Sequence, residues 1–145
     1  MNSNFIHRFS LVIVAAIVLC SCATPAKQPP TLFSRLGGLP TLTMVVDDTI
    51  DQVVANPKTK RSFQDIKLSE LKKSVVEQLC ELTGGPCKYE GETMLNAHKD
   101  AKITEAEFEL FVAAFRDALN KYVNTREKNE LLRILAPMKR DIVAS

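Results

Sequence analysis

His98 is the only histidine beyond the first 30 residues, and its neighbours suggest a chemistry for it. Met94 and Leu95 stand four and three residues before it, so a helix would turn all three side chains to one side. Thr104-x-x-Glu107 then has the form of a capping box that starts a second helix. Phe108, Phe111, Val112, Phe115 and Leu119 follow at helical spacing. An imidazole on an apolar face backed by phenylalanines suits the proximal ligand of a haem iron. The plainer reading is a histidine satisfied inside a core, and the rest of the chain decides between the two.

The elements that must position His98 are helical. A short turn over 31–36 ends at Gly37-Gly38, and Pro40 suits the first position of a helix running to Ala55 with Leu42, Val45, Val46, Ile50, Val53 and Val54 on one side. Asn56-Pro57 stops it. A basic loop, 58–61, leads to Phe63, an aromatic in an otherwise polar connection. Ser69 reads as the cap of the next helix, which carries Leu71, Val75, Leu79 and Leu82 and closes at Gly84-Gly85. The helix begun at Thr104 extends to Tyr122. A last one, 126–142, carries Leu131, Leu132, Ile134, Leu135, Met138 and Ile142, and Pro137 should kink or shorten it. No stretch alternates apolar and polar residues over six positions. The expectation is an all-α domain over 31–143, small but able to bury a core.

The 145 residues suffice for one domain. Arg8, the apolar run 9–19 and the small residues after it read as a secretory signal too short to span a bilayer as a helix. Leu19-Cys20-Ser21-Cys22 resembles the bacterial lipobox. Cys22 fits lipidation best because Ser21 is the small residue ahead of it. The expected organisation is therefore a signal peptide, 1–21, a proline-rich lipidated tether, 22–30, and the domain. Acyl chains would hold that domain at the cell envelope, and Ala23 after the lipidated residue resembles the outer-membrane sorting pattern. Without Arg8 the surplus of 19 basic over 17 acidic residues falls to one, which argues against nucleic acid as a partner. Cys80 and Cys87 flank Gly84-Gly85-Pro86 and can pair in an oxidising compartment; one histidine is too few to complete a zinc site with them.

Seven segments then occur in order: L-F-x-R-L-G-G-L (32–39), V-V-D-D (45–48), Phe63, L-x-G-G-P (82–86), Y-x-G-x-x-M-x-x-A-H (89–98), I-T-x-x-x-F (103–108) and A-P-M-x-x-D-I-V (136–143). Together they resemble a truncated haemoglobin of the first group, a 2-on-2 globin, across nearly all of 32–143. The resemblance implies two antiparallel helix pairs around a haem b (iron protoporphyrin IX), with His98 as the proximal iron ligand. Phe63 would lie on the porphyrin face, with Met94 on the proximal side and Leu131, Ile134 and Leu135 along the wall.

The departures lie on the distal side. Ile50 stands where many members have a hydrogen-bonding tyrosine, Val75 where they often have glutamine, and Thr49 where they have phenylalanine. Leu71 occupies the position nearest the sixth coordination site. Ile50, Leu71 and Val75 thus form an apolar distal wall; Gln78 and Thr49 match no family donor. Ser74 replaces a lysine that pairs with a haem propionate, leaving Lys72, Lys73, Lys88 and Tyr89 as neighbours able to take that role.

These features suggest reversible binding of a diatomic gas, O2, NO or CO, with weak preference for oxygen. One alternative is a nitric oxide dioxygenase served by a reductase that the sequence does not name; the apolar wall argues against it, since oxygen must stay bound to react. Another is a helical lipoprotein adaptor without haem, which the Tyr89–Gly91 loop, Phe63 and His98 argue against.

Overall fold

The computed structural model describes residues 29–143; the expected signal peptide, Cys22 and the expected tether up to residue 28 lie outside them. Seven α-helices follow in order: α1 (Leu32–Leu36), α2 (Gly38–Ala55), α3 (Leu68–Leu82), α4 (Met94–His98), α5 (Glu105–Tyr122), α6 (Thr125–Leu135) and α7 (Lys139–Ile142). Tight 3-10 turns at Lys60–Phe63 and Ala136–Met138 separate α2 from α3 and α6 from α7. Among the described residues there is no strand, only an isolated bridge between Ile103 and Val143.

α2 is the axis of the molecule. Leu42, Val45, Val46, Ile50 and Val53 put its apolar stripe almost wholly out of water. That stripe meets Leu79 of α3, Phe115, Ala118 and Leu119 of α5, and Leu131 of α6 in one core. The contact of α2 with α5 is the most extensive between any two helices, and α2 with α3 comes next. Ala118, fully buried, has no bulk to hold the α2 and α5 backbones apart. α1 packs on α2 and α6, and Arg35 ties it to Glu127 and Glu130 of α6.

Several boundaries differ from expectation for local reasons. α2 starts at Gly38 rather than Pro40: Gly37 sits at φ +97°, a left-handed conformation that ends α1 and turns directly into α2. Pro40 still falls in the first turn, where its missing N–H costs nothing. Ser69 is not the cap of α3; Lys67 is, because its carbonyl already accepts from the Leu71 amide at 3.0 Å. The last helix is interrupted, as Pro137 leads one to expect: it ends at Leu135 and gives way to a 3-10 turn and α7, since Pro137 has no N–H to give. Phe63 belongs to the 3-10 turn rather than to an irregular loop.

Candidate haem site

His98 ends α4, a helix of one turn. Its start is capped by Thr93, whose hydroxyl accepts from the Asn96 amide at 3.2 Å. The loop before it is held by its own residues. Tyr89 donates its hydroxyl to the Glu92 carbonyl at 2.8 Å, and its ring lies so close over Gly91 that a Cβ there would sit 2.4 Å from it. This explains the Tyr-x-Gly spacing: the ring needs a residue without a side chain beneath it. From the other side α4 packs on α7, next to the bridge between Ile103 and Val143.

The imidazole of His98 is half-buried, with Nδ1 2.8 Å from the Met94 carbonyl oxygen. A carbonyl has no proton to offer, so Nδ1 is the donor and carries the hydrogen. In the neutral ring Nε2 then keeps the lone pair, and it has no hydrogen-bond partner among the described residues. Met94 is half-buried on the same side. Leu95, expected there too, is 59% exposed, because in a single turn it points about 100° away from Met94.

Phe63, Leu71, Val75, Ile134 and Leu135 are all partly buried and packed on the core, as is Phe111 of α5. Ile50 and Leu131 differ from them: both are enclosed by protein, at 1% and 0% exposure. They lie inside the core and show no free face. Gln78 of α3 reaches Met94 of α4, donating to its Sδ at 3.7 Å, so the two helices that would flank a haem approach each other there. Thr49 turns its hydroxyl onto its own helix, donating to the Val45 carbonyl at 2.6 Å. The Thr49 hydroxyl is thus taken up by its own helix, whereas Gln78 has only a weak thioether acceptor.

Two of the lysines near the expected propionate position are paired with carboxylates. Lys72 pairs with Asp51 at 2.7 Å and Asp47 at 3.2 Å. The Asp51 hydrogen bond leads in holding its ammonium above the ordinary lysine range, against some desolvation. Lys88 pairs with Glu90 at 2.9 Å. Cys80 and Cys87 are joined in a disulfide, with Cα atoms 5.7 Å apart, so the end of α3 is tied to the loop that leads to α4. Two surface grooves, of about 580 and 450 Å³, lie against α2 and do not include His98.

Sequence reasoning missed one cluster beside the site. Glu107 is the partner of Thr104 in a complete capping box at the start of α5, but its carboxylate also takes hydrogen bonds from Arg61 and, at 3.0 Å, from Ser62 Oγ. Burial alone would raise its pKa; the hydrogen bonds from Thr104, Arg61 and Ser62 outweigh that and bring it down to about 2. The capping motif marked Glu107, but nothing local to Arg61 marks its partner.

The residues present fit a haem. One imidazole offers an unprotonated nitrogen with its other nitrogen hydrogen-bonded, and half-buried apolar side chains on α3, α5, α6 and the first 3-10 turn supply surface for a flat apolar ring.

Comparison with known proteins points the same way. The sequence profile of the bacterial-like globin family matches residues 31–144. A group 1 truncated hemoglobin of Mycolicibacterium paratuberculosis is 29% identical over 116 residues, covering 79% of this chain and 85% of that protein. The truncated hemoglobin of Tetrahymena pyriformis in its Fe(III) form superposes with a TM-score of 0.74 at 23% identity, covering 80% of this chain and 100% of that one. The 2/2 hemoglobin of Synechococcus, solved in the cyanomet state with covalently attached heme, gives 0.72 at 20% identity over 79% and 98%. At such identities the superpositions establish the fold.

Proposed function

The chain belongs to the bacterial-like globin family, and from that membership we propose that it binds haem b through His98 and reversibly takes up a small diatomic gas. The observation that carries the reading is the hydrogen bond from His98 Nδ1 to the Met94 carbonyl, which fixes the tautomer with Nε2 available. When bound, haem would supply an iron able to take up O2, NO or CO.

The protein's own part is to hold, orient and shield. α4 aims the imidazole, and the Nδ1 hydrogen bond makes it a stronger donor. Phe63, Leu71 and Val75 offer apolar surface and no proton on the distal side, with Ile50 behind them. Thr49 is committed to its own helix. A ligand that gains little negative charge on binding loses little in such a pocket. Oxygen, which depends on a donor, is held less well. The expected character is a globin with fast oxygen release and ordinary affinity for carbon monoxide or nitric oxide. Stopped-flow oxygen release from the reduced, haem-loaded protein tests it: fast release supports an apolar distal side, and release as slow as in a tyrosine-bearing relative rejects it.

We further propose that the chain is a lipoprotein of the bacterial cell envelope, anchored through Cys22 and facing the periplasm. Labelled palmitate should enter the expressed full-length protein and fail to enter Cys22→Ser; equal labelling of both removes the anchor.

A further inference from the structure

Arg61 connects two segments that the chain separates widely. Its Nη2 donates to Glu107, 46 residues later, and to the Lys102 carbonyl at 3.1 Å, 41 residues later. Glu107 needs only Thr104 to complete its capping box: the Thr104 amide donates to Oε2 at 2.9 Å and the Glu107 amide donates to Thr104 Oγ1 at 3.3 Å. The bonds from Arg61 and Ser62 are therefore additional to what starting α5 requires. Arg61 lies two residues before Phe63, and Lys102 four residues after His98. Lys102 sits at φ +48°, a conformation a lysine rarely keeps unless its surroundings hold it there. Glu107 is 7% exposed, so losing Arg61 would leave a nearly dry carboxylate short of its cation.

We propose that Arg61 is a positioning residue: through Glu107 and the Lys102 carbonyl it sets the spacing between the turn that carries Phe63 and the link that leaves His98, and so governs how firmly haem is retained. The part about retention rests on the haem reading given above; the part about spacing does not.

The test compares the full chain with Arg61→Met and Arg61→Lys. Ferric haem transfer to an excess of haem-free acceptor globin should run about tenfold faster from Arg61→Met, as expected for losing a hydrogen bond to a charged group. Arg61→Lys should recover part of the difference. Hydrogen exchange on the haem-free proteins supplies a second readout: amides 99–104 should exchange about tenfold faster in Arg61→Met, with those of α2 unchanged. Haem loss at the wild-type rate overturns the proposal, and so does exchange that rises equally in α2, which would mark a merely structural role. If the wild-type chain takes up no haem, it is the haem reading that fails. Exchange then decides alone: localised acceleration at 99–104 supports the positioning role, and its absence rejects it.

Discussion

The His98 imidazole and the Met94 carbonyl, one helical turn apart, meet at 2.8 Å, and that contact decides which ring nitrogen is free. It depends on α4 existing at all, and a five-residue helix has little stability of its own. Thr93 supplies its N-cap. Thr93→Ala should cost about 1 kcal/mol locally and speed haem loss roughly fivefold. Acceptor-globin transfer measures it, with Asn96→Ala, which keeps the capped amide, as the control expected to change little.

The distal side should respond to a single donor. Leu71 is partly buried on the core, so Leu71→Gln places an amide there at small packing cost. Oxygen release should slow about tenfold, as one hydrogen bond of roughly 1.5 kcal/mol would give, with carbon monoxide binding changed much less. Stopped-flow mixing reads both.

Glu107 makes the stability of the fold depend on acid. Its pKa is held at about 2 in the folded chain, against an ordinary 4.5. A carboxyl lowered on folding stabilises fully above about pH 4.5, and that contribution fades as pH falls toward 2. Glu107→Gln should therefore be less stable than wild type by about 1–3 kcal/mol at pH 7, and the gap should narrow steadily below pH 4.5. Urea unfolding of the haem-free proteins at pH 7, 4 and 3 checks the sign.

The disulfide between Cys80 and Cys87 closes a short loop. Replacing both cysteines by serine should cost on the order of 2 kcal/mol by loss of that constraint. Unfolding with and without dithiothreitol should show wild type falling to the level of the double variant, which itself should not respond.

How far the sequence was legible follows from where each interaction's partners lie. The Thr104–Glu107 box could be read because both residues share one helical turn. The α2 stripe could be read because its period survives in the buried set Leu42, Val45, Val46, Ile50 and Val53. Arg61 could not: its partners are 41 and 46 residues away, and a basic loop gives no hint of which cation turns inward. Ser69 misled because a good capping residue stood one position inside a helix that Lys67 had already begun. Leu95 misled because spacing sets only relative directions, and in a helix of one turn the side that faces the protein is chosen by packing on α7. Ile50 and Leu131 were placed by family position, while their enclosure at 1% and 0% exposure is a property of the assembled core.

The most direct measurement is the absorption spectrum of the haem-supplied protein beside His98→Gly, without and with added imidazole. Wild type should show a strong Soret band that shifts on reduction and again with carbon monoxide; His98→Gly should lose it, and free imidazole should restore it by filling the space beside Met94. A colourless wild-type protein, or a spectrum that His98→Gly leaves unchanged, would contradict the account.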